Sequence, residues 1–446
     1  MNAPQSVDYN DPQTLKRVAS DMINLGMQHG DVEVAVSAGE GLAITVRGGA
    51  VETLESERDK SLAVTVYQDG RKGSATTSDF SAAALKETVA AATEIAASGE
   101  IDQYAGLADV ADLAAQVPAL ELDYPWDLEP EQAIELALRC EAAALGADNR
   151  IKQSDGASVN RYRGTRAYAN SAGFCEAYRG TRHSISAIMI AEQDDAMQRG
   201  YWYESARSAD DLGAAEMIGQ RAAERTVAKL GARKLATTSM PVIFEARAAS
   251  GLVGHMISAI SGAAQYRKAS FLLDAVGEQV LPENLSLVEK PHLARAIGSA
   301  PFDSDGIATR EKTIVENGQL RTYLLSAYAA RRLQLAPTGN AGGTHNLILT
   351  PGDRDLAAMI AGQKRALLVT DLMGFGVNGV TGDYSRGASG FYLENGEVAH
   401  AVEEITIAGN LRDMLLGIDE VGNDVDAGLN IRCGSVLLGE MAIAGS

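Results

Sequence analysis

Histidine is scarce in this chain. Six occur among 446 residues: His29, His183, His255, His292, His345 and His400. No two are close enough to share one helical face, as the zinc pair of a helix-borne metallopeptidase motif must. Cysteine is scarcer still. Cys140, Cys175 and Cys433 are far apart, odd in number and never in a CxxC pair. That excludes a disulfide framework and a zinc ribbon, and it fits a reducing cytoplasm. Aromatic residues make up only 5% against 45 glycines, which favours tight turns and small-residue packing over large aromatic pockets. Basic charge is also short, with 39 Lys and Arg against 59 Asp and Glu for a net charge of −20. Nucleic-acid binding needs the opposite balance; an acidic surface serves solubility. No apolar run reaches the roughly 18 residues of a membrane span. The opening MNAPQSVDYNDP lacks a signal-peptide stretch, so a cytoplasmic protein is expected.

Local pattern predicts α+β architecture in two domains, 1–234 and 235–446, with largely antiparallel sheets, β-hairpins and flanking helices. Helices are expected over Asp11–His29, Ser81–Ser98, Glu129–Leu145 and Ala209–Leu230. Strands are expected at Val32–Val36, Leu42–Val46 and Leu62–Tyr67, then from Ile151 to Glu204 with a turn at Asn170–Gly173. Residues 99–128, with Pro118 and Pro125, read as a long connection. The second half opens with a strand at Val242–Phe244 and a helix from Ala246 to Ile260. Asn317-Gly318 and Asn395-Gly396 mark hairpins, because Asn-Gly supplies positive φ at both turn positions. Gly48-Gly49 and Asp69-Gly70 do the same in the first half.

Several motifs weaken under their own mechanism. Gly374–Gly379 spells GxGxxG after a strand, but the turn sequence that follows offers no helix N-terminus for a pyrophosphate. Gly339–His345 lacks the Lys-Ser/Thr pair of a phosphate loop, and its histidine reads as a surface-loop residue. No GxSxG elbow occurs. Glu245 and His255 lie ten residues apart in the sequence. At about 100° per residue they fall about 80° short of a shared helical face. In Thr381–Gly390, by contrast, Asp383, Tyr384, Ser385 and Arg386 are packed among glycines before a strand. Glycines allow close backbone approach, and Arg386 is suited to clamp a carboxylate.

At this stretch the chain resembles a known family. The run VTGDYSRGASGFYLENGEVAHAVEEITIAGNLRDML (Val380–Leu415) is similar to the signature of the TldD/PmbA family, described also as modulators of DNA gyrase. VRGGAVETLESERDKSLAVTVYQDGRKGSATT and the closing CGSVLLGEMAIAG fit its first and last segments. The resemblance implies a cytoplasmic α+β protein in a heterodimer that cleaves unfolded peptides, of the kind associated with peptide-antibiotic maturation and antitoxin turnover. In that pair the active subunit binds zinc through HExxxH and a later cysteine, and the motif Glu is the general base. Here the hexapeptide reads Phe244-Glu245-Ala246-Arg247-Ala248-Ala249. Both histidine positions are apolar, only Glu245 remains, and no cysteine stands at Val421–Asn423; Cys433 comes later. The pattern resembles the PmbA (TldE) type, which binds no zinc and leaves the metal to its TldD-type partner. Thr381, Gly382, Asp383, Tyr384, Ser385, Arg386 and Gly387 are the expected substrate- or partner-binding residues. No membrane or direct nucleic-acid contact is expected. Two alternatives stay open: an independent peptidase using Glu245 with Cys433, His255 or His345, and a non-proteolytic protein-binding regulator.

Overall fold

The computed structural model describes residues 7–194 and 196–445; Met1–Ser6, part of the polar opening, lie outside them. Asp11 starts helix α1 (Pro12–Gly26), its carboxylate accepting the Thr14 N–H at 2.8 Å with proline at the first helical position. Strands β1 (Asp31–Arg47), β2 (Ala50–Gln68) and β3 (Arg71–Thr77) follow. The two short strands expected at Val32–Val36 and Leu42–Val46 are one 17-residue strand, β1. Gly39 and Gly41 do not break it, because ladder pairing on both edges holds them: Gly39 faces Asp59 and Gly164, Gly41 faces Glu57 and Tyr162. Strand β2 also starts earlier than expected, since its polar first half, Ala50–Asp59, pairs with the second half of β1, Gly39–Arg47.

Helix α2 (Ala82–Ser98) is capped by Ser81, and a connection with little regular structure leads to α3 (Pro130–Ala147). Strands β4 (Ile151–Asn170), β5 (Cys175–Gln193) and β6 (Ala196–Ala206) complete the first sheet, followed by α4 (Ala215–Ala228). The helix expected from Ala209 begins later. A short 3-10 turn comes first, and Gly213 then donates its N–H to Glu204 at 2.8 Å instead of joining the helix. The sheet runs β3-β2-β1-β4-β5-β6, antiparallel throughout, and curves as a half-barrel. Alternation decides its faces. Val32, Val34, Val36, Leu42, Ile44 and Val46 of β1 point to the side covered by the four helices. The other face carries Ser37, Gly39, Gly164, Arg166 and Tyr168.

The second half contains β7 (Thr238–Phe244), α5 (Ala246–Ala259), α6 (Gly262–Tyr266), β8 (Leu287–Glu289), β9 (Lys312–Glu316), β10 (Gln319–Leu320) and α7 (Ala327–Leu333). It continues through β11 (Leu347–Leu349), α8 (Leu356–Ala361), β12 (Arg365–Met373), β13 (Asp383–Glu394), β14 (Glu397–Asn410), α9 (Leu411–Leu416), β15 (Ile418–Val421), β16 (Ile431–Arg432) and β17 (Val436–Ala444). One sheet runs β10-β9-β8-β11-β16; the other runs β14-β13-β12-β7-β17-β15. Pairing of Thr406, Ile407 and Ala408 with Ala444, Ile443 and Ala442 joins β14 to β17 and closes the second sheet into a barrel. The Asn-Gly hairpins form as expected, with φ of 49° and 78° at Asn317-Gly318 and 53° and 83° at Asn395-Gly396. The barrel's core side receives Met240, Val242 and Phe244 with Leu252, Val253 and Met256 of α5; Ile243 points outward to Met359 of α8.

Candidate functional site

The hexapeptide FEARAA straddles a strand-to-helix junction. Phe244 is the last residue of β7, fully buried, with its backbone paired to Val369 on one side and Val436 on the other. Glu245 is the N-cap, and Ala249 sits buried in the first turn of α5. A phenyl ring and a methyl group stand where the resemblance places two imidazoles. Neither has a lone pair to donate, so these residues do not fit a zinc ion. Among the described residues no group of three or more His, Cys, Asp or Glu side chains is arranged to hold a metal.

Other interactions occupy the junction. Both Glu245 carboxylate oxygens accept hydrogen bonds from Arg225 of α4, at 2.6 and 2.8 Å. One turn further on, at the C-cap of α4, Lys229 pairs with Asp371 of β12 at 3.0 Å. Arg247 lies 3.7 Å above the Trp202 ring and 4.4 Å from that of Tyr203, and its Nε donates to Asp426 at 2.8 Å. The N-terminus of α5 is satisfied from the far end of the chain. Ala246 N–H donates to the buried Ser435 Oγ at 3.1 Å, and Ser435 Oγ donates to Asp424 at 2.7 Å. Cys433 packs beside this cap, its Sγ 3.7 Å from the Ala246 carbonyl. Burial, with Asp424 adding to it, pushes its thiol up to about 12. A nucleophilic or ligating cysteine needs the thiolate, which this site disfavours.

Beside the junction a cleft of about 710 Å³ opens between the two halves of the chain. Tyr201 and Lys229 form one wall, Arg247, Asp371, Arg386 and Glu403 the other. Arg386 comes from the stretch singled out in the sequence, and its buried Nε has no hydrogen-bond partner among the described residues. The other six residues of Thr381–Gly387 do not line this cleft. Thr381 donates to Asp383 at 2.6 Å within the turn preceding β13, where Gly382 takes a φ of +81°. Tyr384 points into the core against His255, with ring centroids 6.1 Å apart; its hydroxyl is pushed up to about 12 by burial, with Arg386 opposing. Burial, and then Arg386, pushes the His255 imidazole down. Tyr384 and Arg386, two residues apart on β13, share one face of the strand, while Asp383 and Ser385 are exposed on the other.

Gly374–Gly379 forms the loop between β12 and β13, with no helix after it and Phe375 fully exposed. His345, read above as a surface-loop residue, is buried at 7% exposure. Its main-chain N–H donates to Glu289 at 2.7 Å and its Nδ1 lies 3.2 Å from the same oxygen. Glu289 also accepts from Lys312 and Asn340. The loop is buried because this carboxylate, 56 residues away in sequence, satisfies its polar groups. Arg225, Lys229, Trp202 and the Asp424–Ser435 cap carried no local signal and were missed. Arg247 lay inside the hexapeptide, but nothing near it in sequence shows the rings it stacks on.

Three domain descriptions match in chain order: PmbA/TldA metallopeptidase domain 1 over residues 32–96, its central domain over 123–230 and its C-terminal domain over 237–445. The metalloprotease PmbA of Escherichia coli O157:H7 is 46% identical over 432 residues, covering 97% of this chain and 96% of that protein. The chain belongs to the PmbA/TldD metallopeptidase family. A PmbA homologue from Haemophilus influenzae is 44% identical over 97% of both chains. Among solved structures, a Bacteroides thetaiotaomicron protein described as a candidate modulator of DNA gyrase superposes with a TM-score of 0.91 at 30% identity, covering 97% of this chain and 99% of its own. TldE from Thermococcus kodakarensis shares the fold at a TM-score of 0.83 and 21% identity, over 96% of this chain. Among the described residues of this family member, no helix is long and apolar enough to cross a membrane.

Proposed function

We propose that this PmbA/TldD family member is the zinc-free, non-catalytic subunit of a cytoplasmic heterodimeric metallopeptidase whose TldD-type partner holds the zinc and cleaves unfolded peptides. The observation that carries this reading is the β7–α5 junction. Both histidine positions are apolar and buried, and the remaining Glu245 spends both carboxylate oxygens on Arg225. A general base must have an oxygen free for the water it deprotonates. The cleft beside the junction, with the unpartnered Nε of Arg386, is where this subunit would contact extended substrate or the partner. Thr381–Gly387 then acts through Arg386 on the cleft wall, with the remainder of the stretch fixing the turn and strand that carry it.

The chain is purified alone and with a TldD-type partner, and bound zinc and peptide cleavage are measured on both. Cleavage by the pair and none by the isolated chain is expected. Zinc-dependent cleavage by the isolated chain overturns the reading. In the assembled pair, Arg386→Ala combined with Asp383→Ala should lower cleavage; unchanged cleavage with unchanged assembly removes that stretch from the proposed role.

A further inference from the structure

A second cleft, of about 740 Å³, lies on the helix-free face of the first sheet, away from the β7–α5 junction. Its floor follows from strand register. Gly39, Gly164 and Gly180 stand side by side across β1, β4 and β5. On either side of this row β4 and β5 place a cross-strand Tyr–Arg pair: Tyr162 opposite Arg182, and Tyr178 opposite Arg166. Same-face neighbours along a strand are about 7 Å apart, so both long side chains can reach over the glycines. Arg207 completes the group. A Cβ on Gly180 would lie 2.7 Å from its Nη1, so the guanidinium sits directly above the floor.

These three arginines are not neutralised. Arg207 is held by the carbonyls of Thr181, Ala296, Ile297 and Ser299, and burial, then the charges of Arg182 and Arg166, push its guanidinium down. Among the described residues none of the three has a carboxylate within ion-pair distance. The contrast with the opposite face of the same strands is direct: there Arg163 and Arg179 share Asp123, each at 2.7 Å. Two acids do reach the cleft, Asp59 and Asp303. The Asp303 oxygens are already taken by the N–H groups of Asp305, Ile307 and Ala341. On the facing wall His345, with its Nδ1 3.2 Å from Glu289, also lines the cleft. The Tyr162 ring lies on Gly39 and Gly164, and in a chain of net charge −20 an arginine cluster beside it with no carboxylate partner among the described residues is a local reversal of sign.

We propose that this cleft binds an oxyanion, either a carboxylate of an acidic peptide or a phosphate, through the guanidinium groups of Arg166 and Arg182. Planar guanidinium groups match both anions in geometry, and Arg207 adds field from beneath. The inference concerns this chain alone and does not depend on a catalytic partner.

The test uses the isolated full chain. A labelled peptide rich in glutamate, the same peptide with glutamine at those positions, and inorganic phosphate are titrated in low-salt buffer. The glutamate peptide, phosphate or both should bind at least about tenfold more tightly to the wild type than to the Arg166→Gln, Arg182→Gln double variant. Arg139→Gln, on α3 and outside both clefts, should leave binding unchanged. Both substituted arginines are exposed, so the variants keep their fold, as circular dichroism will verify. Binding of the peptide alone identifies the ligand as a carboxylate, and binding of phosphate alone identifies it as a phosphate. Equal binding to wild type and double variant, or no binding of either anion, overturns the proposal.

Discussion

Single side chains at the β7–α5 junction have duties that catalysis would not require of them. Glu245 and Arg225 are 14% and 17% exposed, so removing one strands the other's charge away from water. Glu245→Ala is expected to cost about 3 kcal/mol, whereas replacing both with apolar residues of similar size should recover most of the loss. Urea unfolding of the two single variants and the double variant measures this. Cys433 gives a second prediction. With its thiol pushed up to about 12, it should resist alkylation at pH 8 in the native chain and react only in denaturant; peptide mass spectrometry locates the label. Glu289 gives a third. Burial pushes its carboxyl up, but the His345 hydrogen bond and the Lys312 charge outweigh this and hold it at about 2, below its ordinary 4.5. A lowered folded-state value means stability that is present above pH 4.5 and lost as pH falls toward 2. The shift corresponds to roughly 3 kcal/mol. Glu289→Gln should therefore be less stable than wild type at pH 7, with the gap narrowing as pH drops from 4.5 toward 2 in denaturation midpoints.

Helices and strands show the same division of labour. Most helices begin where their own first turn directs: Asp11, Ser81, Ser261, Ser326 and Asp355 each accept from a backbone N–H two or three residues into the helix they precede. Helix α5 does not. Glu245 is its N-cap but makes no side-chain cap bond, because its carboxylate is turned to Arg225. Ser435, nearly 190 residues later, supplies the missing acceptor. Ser435→Ala would leave the Ala246 N–H and an Asp424 oxygen without partners, and should cost about 1–2 kcal/mol. Faster hydrogen exchange confined to the first turn of α5 would show that the cap is the cause. The hairpins and helices were legible in the sequence because their signals lie within a few residues. The 17-residue β1 was not legible, since Gly39 and Gly41 look like breakers until strands on both sides are in place.

At the scale of the molecule, two contacts define the architecture, and both join distant segments. Helix α4 clamps the first half to the second through Arg225–Glu245 and Lys229–Asp371. Three residue pairs between β14 and β17 close the barrel. Truncation after Met441 removes that closure and uncovers Thr238 and Ser239 of β7. It should lower the melting temperature and speed amide exchange at Thr406–Ala408, while exchange across β1, β4 and β5 stays as in the full chain.

The sequence by itself determined the turns, most helix starts, the α+β class and the replacement of both histidine positions by Phe244 and Ala249. These follow from backbone preferences and side-chain chemistry that need no distant partner. Only the tertiary structure decided what surrounds the replaced site: Arg225 on Glu245, Ser435 and Asp424 on the helix end, and Arg386 alone of Thr381–Gly387 on the cleft. It also decided that Arg166, Arg182 and Arg207 converge unpaired over three glycines. Those outcomes depend on strand register and on contacts between residues 20 to 189 positions apart, and no local pattern encodes which residues will meet.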